Sequence, residues 1–180
     1  IYKEGAGTVD TYTTVNSLGS QNAAIYATGS GTTINNYGNI NFTSGVGNVG
    51  VYSDNGAIAN NHGNITVAGS DVDNDLYSIG MATIGGTIKN YNTINVTGDY
   101  GLGMFAQGVG SYAENNGTIN ITGSAKNGYG MYLDAGAKGV NNGIIRANGT
   151  GSEAIGIAVL DGSEFTNNGI VDINLANSTG

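Results

Sequence analysis

The chain reads as an all-β fold, a parallel β-helix or solenoid of about 25–26 residues per coil and roughly six to seven coils. Three observations predict it. A turn-and-strand segment recurs along the chain, each copy led by an asparagine: Asn36, Asn61, Asn90, Asn115, Asn141 and Asn167. The steps between these residues are 25, 29, 25, 26 and 26, a period that marks a stacked repeat rather than a single globular core. After each asparagine, apolar and polar residues alternate with a period of two, as in a strand with one buried face.

Each repeat begins with a turn. The asparagine tolerates the left-handed conformation and bonds nearby backbone through its amide, and a glycine two places on (Gly38, Gly63, Gly117, Gly143, Gly169) permits a sharp reversal. In the strand that follows, Ile40 and Phe42, Ile65 and Val67, Ile94 and Val96, and Ile119 and Ile121 point to the core, while Asn41, Thr66, Asn95 and Asn120 point away. If rungs stack in register, the six asparagines form a ladder in which each amide bonds the next, as identical side chains do in cross-β stacks.

A second strand precedes each turn, as in Ile79-Gly80-Met81-Ala82-Thr83 and Tyr129-Gly130-Met131-Tyr132-Leu133, with Gly or Ala always second. Strict alternation places positions one, three and five inward. Position two and the column Tyr26, Tyr52, Phe105, Tyr132 are then expected outside. Short segments such as Thr32-Thr33-Ile34 and Gly86-Thr87-Ile88 are candidates for a third short strand, giving a coil of two or three strands. Residues 1–20 are expected as a partial or irregular N-terminal coil, because residues 9–15 alternate like a strand but lack the Asn turn. Residues 21–176 are six stacked coils, and residues 177–180 the truncated start of a further loop or coil, as if excised from a longer array.

Composition narrows function. The chain holds 33 Gly, no Pro, Cys or Trp, and 10% charged residues. Such bias accompanies disorder in other chains, but the periodic apolar residues exclude it here. With five cations and a net charge of -8, there is no basic footprint for nucleic acid or for an anionic membrane surface. No apolar run approaches the ~20 residues of a membrane helix. Leucine-rich repeats fail for want of their Leu and Asn pattern.

Several residues invite a chemical reading. Asp71, Asp73 and Asp75 lie in the lengthened loop of the third coil with the spacing that opens a calcium loop. The EF-hand pattern stops there, since Leu76 stands where Gly and Ala82 where Glu is required, leaving at most a weak calcium site against a solvated acidic loop. His62, the single histidine, replaces Tyr37 and Tyr91 of neighbouring coils, and stacked exposed rings are expected there rather than a catalytic triad. The columns Tyr26, Tyr52, Phe105, Tyr132 and Tyr37, His62, Tyr91 stabilise a sheet surface by stacking like on like, and also suit contact with sugars or a protein partner. Asp134 and Asp161 are the nearest approach to the paired carboxylates of glycoside hydrolysis, without basic residues beside them for an acidic sugar. The outward Asn and Thr residues generate glycosylation sequons that the repeat already explains.

The repeat style of Gly50-Val51-Tyr52 followed by Asn60-Asn61-His62-Gly63-Asn64-Ile65-Thr66-Val67 resembles passengers of type V autotransporters, most of all the large fusobacterial outer-membrane adhesins. The resemblance covers about residues 21–176. It implies a right-handed β-helix displayed outside the cell, exported through and anchored by an outer-membrane barrel that this chain lacks. It also implies adhesion to host-cell or bacterial surface proteins or glycans, without membrane insertion by this segment. No family site maps residue by residue onto the chain. The expected function is therefore that of a stalk or adhesive segment, not an enzyme and needing no cofactor. The rival reading is a carbohydrate-active β-helix enzyme, a polysaccharide lyase or hydrolase. Unpaired sheet edges at the ends of a solenoid also predict end-to-end self-association.

Overall fold

The computed structural model describes residues 1–123 and 125–180. Their backbone forms three parallel sheets, each taking one strand from every coil in chain order, seven strands per sheet among the described residues. The first sheet stacks Tyr2–Glu4, Ala23–Thr28, Val49–Asp54, Ile79–Ile84, Leu102–Gln107, Tyr129–Asp134 and Ile155–Val159. The second stacks Gly7–Thr11, Thr32–Asn36, Ile58–Asn61, Thr87–Asn90, Tyr112–Asn115, Lys138–Asn141 and Glu164–Asn167. The third stacks Val15–Ser17, Ile40–Phe42, Ile65–Val67, Thr93–Val96, Thr118–Ile121, Ile144–Ala147 and Ile170–Ile173. This is a parallel β-helix of about seven turns, consistent with the right hand that parallel crossovers favour. The opening segment, expected to be partial or irregular, places one strand in each sheet and pairs in register with the next coil.

The third sheet follows its sequence pattern directly. Ile40, Ile65, Ile94, Ile119 and Ile145 align in one fully buried column, and Phe42, Val67, Val96, Ile121 and Ala147 in another. Burying each of the larger side chains contributes about 1.5–3 kcal/mol. In three coils the core fills by compensation between the first and second sheets. Where the first sheet offers small Ala27 or Thr83, the second supplies Ile34 or Ile88; where it offers Leu133, the second has Gly139. A Cβ on Gly139 would come within 2.5 Å of Leu133 Cδ1, so close packing itself selects the glycine.

The first sheet departs from strict alternation. Gly50, Gly80, Gly103, Gly130 and Gly156 are buried, not outward. The ladder passes over them: Ile79 aligns with Leu102 and Met81 with Met104, leaving the glycine between them unpaired, like the extra residue of a bulge. It turns inward, where a Cβ on Gly80 would stand 2.5 Å from Ile94 Cγ2 and 2.6 Å from the Gly103 carbonyl oxygen. The consequence reaches the surface. Position one of this strand, held by Val49, Ile79, Leu102, Tyr129 and Ile155, joins the aromatic column on the outside face instead of entering the core.

The asparagine ladder is continuous. Nδ2 of Asn36 donates to Oδ1 of Asn61 at 2.8 Å, Asn61 to Asn90 at 3.0 Å, Asn90 to Asn115 at 2.9 Å, and Asn115 to Asn141 and Asn141 to Asn167 at 2.8 Å each. The same amides donate to the carbonyl two residues on, from 2.7 Å at Gly63 to 3.4 Å at Gly143. Both amide protons are thereby used, and five of the six residues are buried. At the start, Thr11 takes the asparagine's place opposite Asn36, and Oδ1 of Asn36 is left buried without a donor. Thr11→Asn supplies that donor, and a stabilisation of about 1 kcal/mol is expected, read as an increase in the urea midpoint without a change in slope.

Candidate functional site

The most developed surface is the outer face of the first sheet. Its ring column runs Tyr2, Tyr26, Tyr52, Ala82, Phe105, Tyr132, Ala158 in register. Tyr2 and Tyr26 meet edge to face with centroids 5.3 Å apart, and Tyr26 and Tyr52 are tilted at 5.2 Å. The Tyr26 hydroxyl donates to Asp54 Oδ2 at 2.8 Å, and this bond, with burial, raises the phenol above its ordinary range. Beyond Ala82, Phe105 and Tyr132 are tilted at 5.8 Å, and Tyr129 meets Tyr132 edge to face at 5.4 Å. The expected column is therefore two clusters, parted where an alanine replaces a ring.

A groove of about 560 Å³ lies at the second of these clusters. Its floor is Ile79, Leu102 and Phe105; Tyr129 and Tyr132 line it from the following coil. Val72 and Tyr77 reach it from the long third-coil loop, and Tyr100 from the next loop. Gln107 and Asp134 add polar groups, with Gln107 Nε2 donating to Asp134 Oδ2 at 3.1 Å. Burial, then the nearby carboxylate of Asp134, raises the Tyr132 phenol.

The loop that walls this groove is held rather than loose. Asp71 and Leu76 exchange backbone hydrogen bonds of 3.0 and 2.9 Å, closing a small antiparallel bridge around the 3-10 turn Val72–Asn74. Ser70 then ties the loop forward, its N–H donating to the Asp99 carbonyl and its hydroxyl to the Tyr100 carbonyl, both at 2.8 Å.

Of the three aspartates of the loop, one braces the turn. Asp71 Oδ2 accepts from Asn74 Nδ2 at 2.8 Å, closing the turn, while Asp73 and Asp75 are exposed. Among the described residues no three His, Cys, Asp or Glu side chains gather as a metal site, so the calcium-loop spacing does not become a cluster.

The second column stands at the corner between the second and third sheets. Tyr37 and His62, and His62 and Tyr91, stack with centroids 4.8 Å apart and interplanar angles of 12° and 4°. Tyr12 extends it below at 5.0 Å. Above Tyr91 the rings give way to amides, Asn168 donating to Asn142 and Asn142 to Asn116 at 2.9 Å each. His62 thus serves as one plate in a ring stack.

Asp134 and Asp161 lie in adjacent coils one residue out of register, since Leu133 aligns with Val159, and Asp161 stands in an exposed turn with φ 44°; both carboxylates act on the Tyr132 phenol, Asp134 the more strongly. Sequence reasoning missed Tyr2 and Tyr12, whose coil lacks the turn signature, and Tyr129, assigned inward by strict alternation. It also missed Tyr77 and Tyr100, which sit in loops outside the repeat. A glycine after Tyr129 in a column of glycines was the available signal.

The family model described as the BigA third pectate lyase-like domain matches residues 1–142. No curated protein and no solved structure matches the chain.

Proposed function

Since the chain belongs to the family of the BigA third pectate lyase-like domain, we propose that it is a segment of a bacterial surface protein that acts by contact, as a stalk carrying an adhesive face. It is exported and displayed outside the cell in the manner of an autotransporter passenger, held at the outer membrane through a region outside this chain. The observation that carries this reading is the first sheet's outer face. There a rigid ladder presents two aromatic clusters and a walled groove, the large, low-entropy contact surfaces that dominate recognition. The partner is a protein or glycan on another bacterium or a host cell.

The test is binding of the purified chain to bacterial and host cells, against a variant with Tyr26→Ser, Tyr52→Ser, Phe105→Ser and Tyr132→Ser. Specific binding by the native chain that disappears in the folded variant is the expected result. A folded native chain that binds no cell is a spacer, and the adhesive reading then fails. The family description and the carboxylate of Asp134 in the groove favour a second reading, polysaccharide cleavage, which predicts new reducing ends when the chain is incubated with polysaccharide.

A further inference from the structure

We propose that the groove between the third-coil loop and Tyr132 is a binding site for an uncharged oligosaccharide. This rests on the reading of the chain as a contact surface and names the chemistry that one part of the surface takes.

Four features point to that occupant. The volume, about 560 Å³, lies within the range of small-molecule sites. Of the five rings that line it, four are tyrosines, Tyr77, Tyr100, Tyr129 and Tyr132. A sugar ring is amphipathic in the same sense, with an apolar C–H face and a rim of hydroxyls, and a tyrosine offers it a flat apolar body with a hydroxyl at the tip. The Gln107 amide and Asp134 carboxylate add donors and acceptors suited to hydroxyls in both directions. Lastly, among the described residues no cation lines the groove, while Asp134 places a negative charge in it, which disfavours a uronic acid or sialic acid.

A peptide fits less well. The three strands beneath the groove are each hydrogen-bonded to neighbours on both sides, so there is no free edge for an added strand. The Ser70 contacts to residues 99 and 100 fix the wall before anything binds, which lowers the ordering cost for a weakly attracted ligand such as a sugar.

The experiment is a titration of the whole 180-residue chain with cellohexaose and mannohexaose, followed by amide chemical shifts, with an oligogalacturonate as the acidic counterpart. Shifts at Gln107, Asp134 and Tyr77 on adding an uncharged oligosaccharide are expected, and need no variant. Tyr129→Ser and Tyr132→Ser should each weaken binding about tenfold or more, Tyr132→Phe, which keeps the ring face and loses the hydroxyl, should weaken it less, and Tyr37→Ser on the other column should have no effect. Asp134→Asn should narrow the preference over the oligogalacturonate.

Tighter binding of the acidic sugar, failure of both uncharged sugars at millimolar concentration, or shifts confined to other faces overturns the proposal. So does concentration-dependent self-association abolished by Tyr132→Ser, which would give the groove to a second copy. The two readings separate cleanly. Cell binding that survives Tyr129→Ser and Tyr132→Ser leaves adhesion standing and removes the groove's part in it. Sugar binding by a chain that binds no cell leaves the groove and removes adhesion.

Discussion

Gly103→Val is expected to lower the melting temperature by about 6–12 °C, corresponding to a loss of about 3 kcal/mol at roughly 2–4 °C per kcal/mol for a chain of this length. The first added carbon alone would lie 2.5 Å from Ile119 Cγ2 and 2.6 Å from the Gly130 carbonyl oxygen. Neither neighbour has room to withdraw. Ile119 is fully buried between Ile94 and Ile145, and the Gly130 carbonyl belongs to the next rung of the same sheet. Relief therefore requires separating two coils, which strains the hydrogen-bonded ladder on either side. Gly103→Ala is expected to cost less, because Ala24 occupies the same place in the second coil and is buried there. Thermal unfolding followed by circular dichroism measures both. An unchanged melting temperature in the valine variant would mean that the glycines are not turned inward.

That column shows where the sequence is transparent and where it is not. The third sheet was legible residue by residue, because an unbroken period of two leaves only one assignment of faces for Ile94, Asn95 and Val96. The asparagine turn was legible for a similar reason, since the chemistry of its amide is local and the spacing repeats. The first sheet was not, because one inward bulge residue shifts everything before it to the other face. Tyr129, counted as core, is thereby on the surface. The groove was even less accessible. Tyr77 and Tyr100 sit in loops whose paths are set by the Asp71–Leu76 bridge and by Ser70 reaching residues 99 and 100, contacts that carry no periodic signal. Spacing did place Ala82 at the ring position of its strand copy, and the register confirms it opposite Tyr52 and Phe105.

Asn115→Ala is expected to cost about 3–4 kcal/mol, and Asn167→Ala no more than about 1 kcal/mol, although both remove the same side chain from the same ladder. Asn115 is fully buried and stands in mid-ladder. Without it, one proton of Asn90 Nδ2 loses the acceptor at 2.9 Å, and Asn141 Oδ1 loses the donor at 2.8 Å. Two buried polar groups are then left without their protein partners at about 1–3 kcal/mol each. Asn167 is exposed, and its loss frees the Asn141 amide proton that it accepts at 2.8 Å and the Gly169 carbonyl to which it donates at 3.3 Å, at a place where solvent replaces it. Urea denaturation of the two variants side by side measures the difference. Equal losses would show that the ladder stabilises through its turns alone, by the bonds to the carbonyls of Gly117 and Gly169, while a large loss confined to Asn115 places the stabilisation in the amide-to-amide chain that joins one coil to the next.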